Sequence, residues 1–140
     1  MKALSLWQPW ASLMADGRKK VETRSWPPPT WLLGKELAIH ATMKVEKSAC
    51  EDFGYDALII PRGCIVAVVR LIAFEKFKDT SWMDYSTEEV SYGDFSMGRY
   101  GWKCELIEKL NPPLMVRGYQ GLFDWVRGDS EASGEGRGKG

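Results

Sequence analysis

Gly17-Arg18-Lys19-Lys20-Val21-Glu22-Thr23-Arg24 sets a lysine, a carboxylate and a guanidinium within one short turn-and-strand unit. Upstream of it, Trp10, Leu13 and Met14 recur at helical spacing behind Pro9, which suits a first helical turn, and Gly17 reads as the helix C-cap. Downstream the period changes to two. Glu22, Arg24 and Trp26 then share one face of an extended segment over Lys20–Trp26, with Val21, Thr23 and Ser25 on the other, and Pro27-Pro28-Pro29 ends it. Lys2 to Leu6 alternates polar and apolar residues and predicts a short strand ahead of the helix.

Further along, Leu37–Ala41 reads as a buried strand, residues 45–56 as a polar helix-compatible stretch, and Pro61-Arg62-Gly63 as a turn. Cys64–Phe74, rich in Val and Ile, is the strongest strand signal. Residues 79–99 are acidic and predict a long surface loop with a helical turn. Tyr100–Leu110 alternates again, Asn111-Pro112-Pro113 reads as a turn, and Leu114–Val116 and Leu122–Val126 as two short final strands. Many short strands, few helices and regular Pro/Gly punctuation predict an α+β, mostly β domain: a small β-barrel with a few helices packed at its mouth. Residues 1–127 form this domain. Residues 128–140, with no aliphatic side chain larger than alanine, read as a disordered tail.

The chain has 140 residues, 44% of them hydrophobic, enough for one core. Nineteen Lys and Arg balance nineteen Asp and Glu, so no overall positive field drives binding to duplex DNA, and any nucleic-acid role must be local. The balance hides an asymmetry: residues 1–47 carry a net +4, residues 48–97 a net −5 and residues 98–140 a net +1. Three widely spaced cysteines, Cys50, Cys64 and Cys104, and the single His40 predict neither a disulfide scaffold nor a metal centre. No apolar run approaches membrane-spanning length, so a cytoplasmic monomer with no cofactor is expected.

The octapeptide fits G-x-K-x-x-E-x-R at every fixed position and follows Leu4-Ser5-Leu6-Trp7-Gln8-Pro9-Trp10-Ala11 at short range. Ser25-Trp26, the strand after Pro61-Arg62-Gly63, and Val116-Arg117-Gly118 ahead of Trp125 come in the same order as in the ASCH family, which this chain resembles over residues 3–126. That resemblance implies a PUA-like barrel with the motif along a cleft beside the first helix. It also implies a nucleic-acid or nucleotide ligand, since relatives bind RNA or DNA, and some act as small amidohydrolases on acylated cytidine or as ribonucleases.

Physically, Arg24 can grip a phosphate or carbonyl edge with two parallel hydrogen bonds, Lys19 can neutralise an anionic oxygen, and Glu22 can orient either cation. Trp7 and Trp26 offer stacking faces, Gln8 an amide to read a base edge, and Arg70 a cation inside an apolar strand that must turn outward or pair with a carboxylate such as Glu22. Trp10 reads as core, His40 as a structural residue, and the Arg117–Gly121 segment as a glycine-rich loop able to approach a phosphate. The plain alternative is an exposed Glu22–Arg24 pair and tryptophans that only fill the core.

The expected partner is RNA or another single-stranded nucleic acid, or a nucleoside or nucleotide. The alternative is a small hydrolase of N4-acylcytidine or RNA using Lys19 and Glu22. The lysine, threonine and glutamate mechanism of the hydrolase relatives does not carry over intact, because Glu22 stands where their threonine does and its charge favours a protonated lysine.

Overall fold

A computed structural model of the protein describes residues 1–127, so the tail predicted from residue 128 lies outside the described residues. Six strands, β1 (Lys2–Gln8), β2 (Val21–Arg24), β3 (Glu36–Val45), β4 (Cys64–Lys76), β5 (Tyr100–Met115) and β6 (Leu122–Asp124), form one mixed sheet in the order β2-β5-β4-β3-β1-β6. Only β1 and β3 run parallel; every other pair is antiparallel. Three short helices, α1 (Trp10–Ala15), α2 (Lys47–Phe53) and α3 (Thr87–Ser91), interrupt the strands.

Strand alternation sorts the apolar residues onto two sides of the sheet. Leu4, Leu6, Leu37, Ile39, Val69 and Leu71 pack with Ala11 and Met14 of α1 and with the fully buried Trp102. Ala3, Ala38, Ile65 and Val68 pack on the opposite side with Phe123 and Trp125. The helix ends as its sequence predicts, with Gly17 in the left-handed region at φ 75°.

Two expectations need correction. The mostly β class holds, but the sheet is not a closed barrel: edge strands β2 and β6 do not pair with each other. A side chain does part of that work, because the sheet curls far enough for Arg24 on β2 to donate from Nη2 to the Ser5 carbonyl on β1 at 2.6 Å. Asn111-Pro112-Pro113 also does not turn the chain. The register runs from Ala67↔Lys109 to Ile65↔Leu114, so Leu110–Pro113 bulge out of a ladder that then resumes. Prolines have no N–H to give the ladder, and a bulge places them where none is needed.

Candidate nucleic-acid interface

On the side of the sheet that carries Ala3 and Ala38, the next residues along each strand are Ser5 and Trp7 on β1 and His40, Thr42 and Lys44 on β3. There the apolar floor gives way to polar and aromatic side chains. The curl of the sheet brings β2 to face them, and the Val116–Gly121 loop and residues 91–94 close the ends of an open cleft of about 1400 Å³. Lys19, Arg24, Lys44, Arg99 and Arg117 line it against two carboxylates, Glu22 and Asp94, so a local positive field exists in a molecule of zero net charge.

The lysine, glutamate and arginine of the motif do converge, chiefly on one another. Lys19 Nζ donates to the carbonyls of Val21 at 2.7 Å and Tyr92 at 3.2 Å and lies 3.4 Å from Glu22 Oε1. Those three acceptors match the three protons of an ammonium, and the side chain is 1% exposed. The other Glu22 oxygen lies 2.9 Å from Arg24 Nε, an ion pair made off the N–H direction. Arg24 Nη2 is spent on Ser5, Nε meets Glu22 only as an ion pair, and Nη1 makes no hydrogen bond to an acceptor among the described residues. The most exposed member of the trio is therefore Arg24, whose Nη1 edge is free of protein acceptors among the described residues and whose side chain lines the cleft.

Trp26 is anchored by its carbonyl, which accepts from Trp102 Nε1 at 3.1 Å, and its ring stands 5.8 Å from the Arg24 guanidinium. Trp7 is 46% exposed beneath Lys44, whose Nζ is 5.1 Å from the ring centre, and Tyr119 is 56% exposed with the Arg117 guanidinium at 5.4 Å. Neither cation has a carboxylate partner among the described residues. Each pairs with the face of an exposed ring, an arrangement that accepts both a phosphate and a stacked base.

Two predicted site residues lie elsewhere. Gln8 is fully buried: its Nε2 donates to Ser12 Oγ and the Pro61 carbonyl, and its Oε1 accepts from the Ser12 amide at 2.9 Å. That amide is one of the orphan donors of the first turn of α1, so Gln8 serves as a helix cap and has no base edge to read with. Arg70 sits at the outer end of the strands with Glu36 opposite it, donating to the Gly34 carbonyl at 2.9 Å and to Glu36 at 3.3 Å. It lies on the same side of the sheet as the cleft but at the far end of β3 from Lys44, outside the cleft lining, and pairs with Glu36 in place of Glu22.

The ASCH domain family model matches residues 4–115 of the chain. The protein belongs to the ASCH-domain family. Its fold is similar to solved structures of the ASCH protein of Zymomonas mobilis: a serine-to-alanine variant at TM-score 0.59 and 18% identity, covering 94% of this chain and 92% of that one, and the parent protein at TM-score 0.55 and 17% identity, covering 93% and 90%. No curated protein matches the sequence.

The ASCH fold also brings His40, read from sequence as a structural residue, and the 116–121 loop, read as able to approach a phosphate, into one cleft wall. Ser5 explains the loop's path: its hydroxyl donates to the Tyr119 carbonyl at 2.6 Å, and its amide to the Gly121 carbonyl at 3.1 Å. His40 Nε2 donates to the Val116 carbonyl at 2.7 Å, which makes Nδ1 the bare nitrogen of the neutral ring, buried with no partner. Burial pushes this imidazole below its ordinary value of 6.5, outweighing the pull of the Val116 carbonyl. The folded ring therefore resists a proton that the unfolded chain accepts. Stability should be level above about pH 6.5 and decline as pH falls below it, by at most about 1.4 kcal/mol per pH unit, until the folded ring titrates too. Urea unfolding of the wild type and His40→Gln across this range checks it: the variant should lose that part of the slope, and parallel curves would exclude His40 as its source.

The cysteines offer no nucleophile here. All three are buried free thiols, and burial, with Glu22 adding to it, pushes Cys104 up to about 12. Among the described residues no cluster of three or more His, Cys, Asp or Glu side chains could hold a metal, and no helix is long and apolar enough to cross a membrane.

Proposed function

We propose that the cleft binds single-stranded nucleic acid, with RNA the expected ligand, and that it works as a binding module. The observation that carries this reading is the pair of exposed rings, Trp7 and Tyr119, each under a cation with no carboxylate partner among the described residues, in the cleft that Arg24 also lines. Unstacked bases present the flat faces such rings take, and the phosphates between them suit Lys44, Arg24 and Arg117. The ASCH domain is a PUA-like fold associated with RNA binding, which agrees with the chemistry of the cleft. A nucleoside or nucleotide would occupy part of the same surface.

The hydrolase alternative draws no support from the geometry. Lys19 has all three protons engaged, and each Glu22 oxygen faces a cation, so neither is poised to take a proton from a substrate.

Titrating a fluorescent oligouridine over a range of salt tests the binding reading. Wild-type affinity should fall as salt rises, and Lys44→Ala and Arg117→Ala should each flatten the log–log slope by about 0.7, the value for one single-strand phosphate contact. Trp7→Ala should weaken binding by about 1–3 kcal/mol with the slope unchanged. Salt-insensitive binding, or variants indistinguishable from wild type, would remove the cleft from consideration.

A further inference from the structure

β2 is an edge strand: β5 pairs with it on one side, and among the described residues no strand lies on the other. Edge strands leave a row of backbone groups that natural proteins cover. Here side chains cover it. The free edge presents the amide and carbonyl of Val21 and the carbonyl of Thr23, and these meet the Glu89 carboxylate at 3.2 Å, the Lys19 ammonium at 2.7 Å and the Arg99 guanidinium at 3.4 Å. Glu89 also accepts from the Lys20 amide through both oxygens, at 3.0 and 3.2 Å, so one buried carboxylate holds two successive amides at the start of β2.

Glu89 is itself fixed in place. It lies in α3, with its amide donating to the capping Ser86 hydroxyl at 3.1 Å, and it is 7% exposed. Three residues on, the Tyr92 carbonyl accepts from Lys19, and the Asp94 amide donates to Thr23 Oγ1 at 3.0 Å. Glu89, Tyr92 and Asp94 therefore stand in for a missing strand beside the residues from Lys19 to Thr23. The far end of this segment, Ser91 to Asp94, lines the cleft.

We propose that Glu89 is a positioning residue for the cleft: by holding the Lys20 and Val21 amides it fixes β2 against α3, and so sets where Glu22 stands and where the free edge of Arg24 points. The ligand part of this inference rests on the binding reading above. Glu89 touches neither Arg24 nor the open cleft, so its effect passes through the backbone of β2. A carboxylate is required because both facing groups are donors; a glutamine presents one acceptor and one further donor to them.

The test crosses Glu89→Gln and Glu89→Ala with Arg24→Ala, at a temperature where circular dichroism shows all variants folded. In the wild-type background Glu89→Ala should weaken oligouridine binding about tenfold and Glu89→Gln by less; in the Arg24→Ala background both effects should shrink to within about twofold, because the positioned group is gone. Equal losses in both backgrounds, or none in either, would overturn the proposal. A second readout needs no ligand. The NMR signal of the Arg24 Nε proton should shift in Glu89→Gln, and the Val21 amide should lose exchange protection while that of Trp102 keeps it. If the wild type binds no RNA, the binding reading falls and the NMR result alone decides: an unmoved Arg24 signal overturns the positioning role, and a shifted one sustains it.

Discussion

Glu22→Ala should destabilise the domain by about 3–5 kcal/mol, the usual cost of removing one member of a buried ion pair. For a domain of this size that lowers Tm by roughly 10–20 °C. The reason is the distribution of charge. Among the described residues Glu22 is the only carboxylate within salt-bridge distance of Lys19 or Arg24, and its side chain is 11% exposed. Truncating it leaves a buried ammonium with two carbonyls and a guanidinium with one, two like charges on the same strand and turn. Lys19→Met should cost less, because it removes the charge along with the donors and leaves Glu22 paired to Arg24. Calorimetry on both variants at neutral pH checks the order. A loss below about 1 kcal/mol for Glu22→Ala would make the trio no stronger than a surface pair. The same reasoning limits what a Lys19→Ala assay can say: loss of function there follows from loss of the trio, with no catalytic role for the lysine required.

The difference between what was legible in the sequence and what was not follows the range of the interactions. Period and punctuation place β1, α1, the Glu22–Arg24 face and the long strand from Cys64, since each is set by residues a few positions apart. The motif's convergence was legible for the same reason. Gln8 was misread because an amide beside a proline looks free until the first turn of α1 supplies a donor for it. Arg70 was misread because alternation fixes its face but not its end of the strand, and the end is decided by register with Glu36. The bulge at Leu110–Pro113 looked like a turn because prolines mark both. Least legible of all was Glu89, in a stretch read as acidic loop, since its partners lie 68 and 69 residues away. His40 and the Val116–Gly121 loop, far apart in sequence, meet only in the folded chain. The one local signal for their contact was Gly118, which sequence alone cannot separate from an ordinary turn glycine.

Gly118→Ala should cut oligouridine affinity at least about tenfold with a much smaller loss of stability, because the strain falls on a surface loop that carries Arg117 and Tyr119 of the proposed binding cleft. A Cβ added at Gly118 would lie 2.2 Å from the His40 ring, closer than any real contact, and the ring cannot give way. It is 2% exposed, held by Val116 through Nε2, and backed edge-on by Phe123 at 5.6 Å between ring centres. The loop must lift instead, carrying Arg117 and Tyr119 away from Lys44 and Trp7. Removing the ring should undo this. In a His40→Ala background the new methyl group has room, so Gly118→Ala should then cost under about twofold, and the double variant should bind better than Gly118→Ala alone. Additive losses would mean that the glycine acts through the freedom of its backbone, and that the packing of Gly118 on His40 does not hold the two aromatic faces in place.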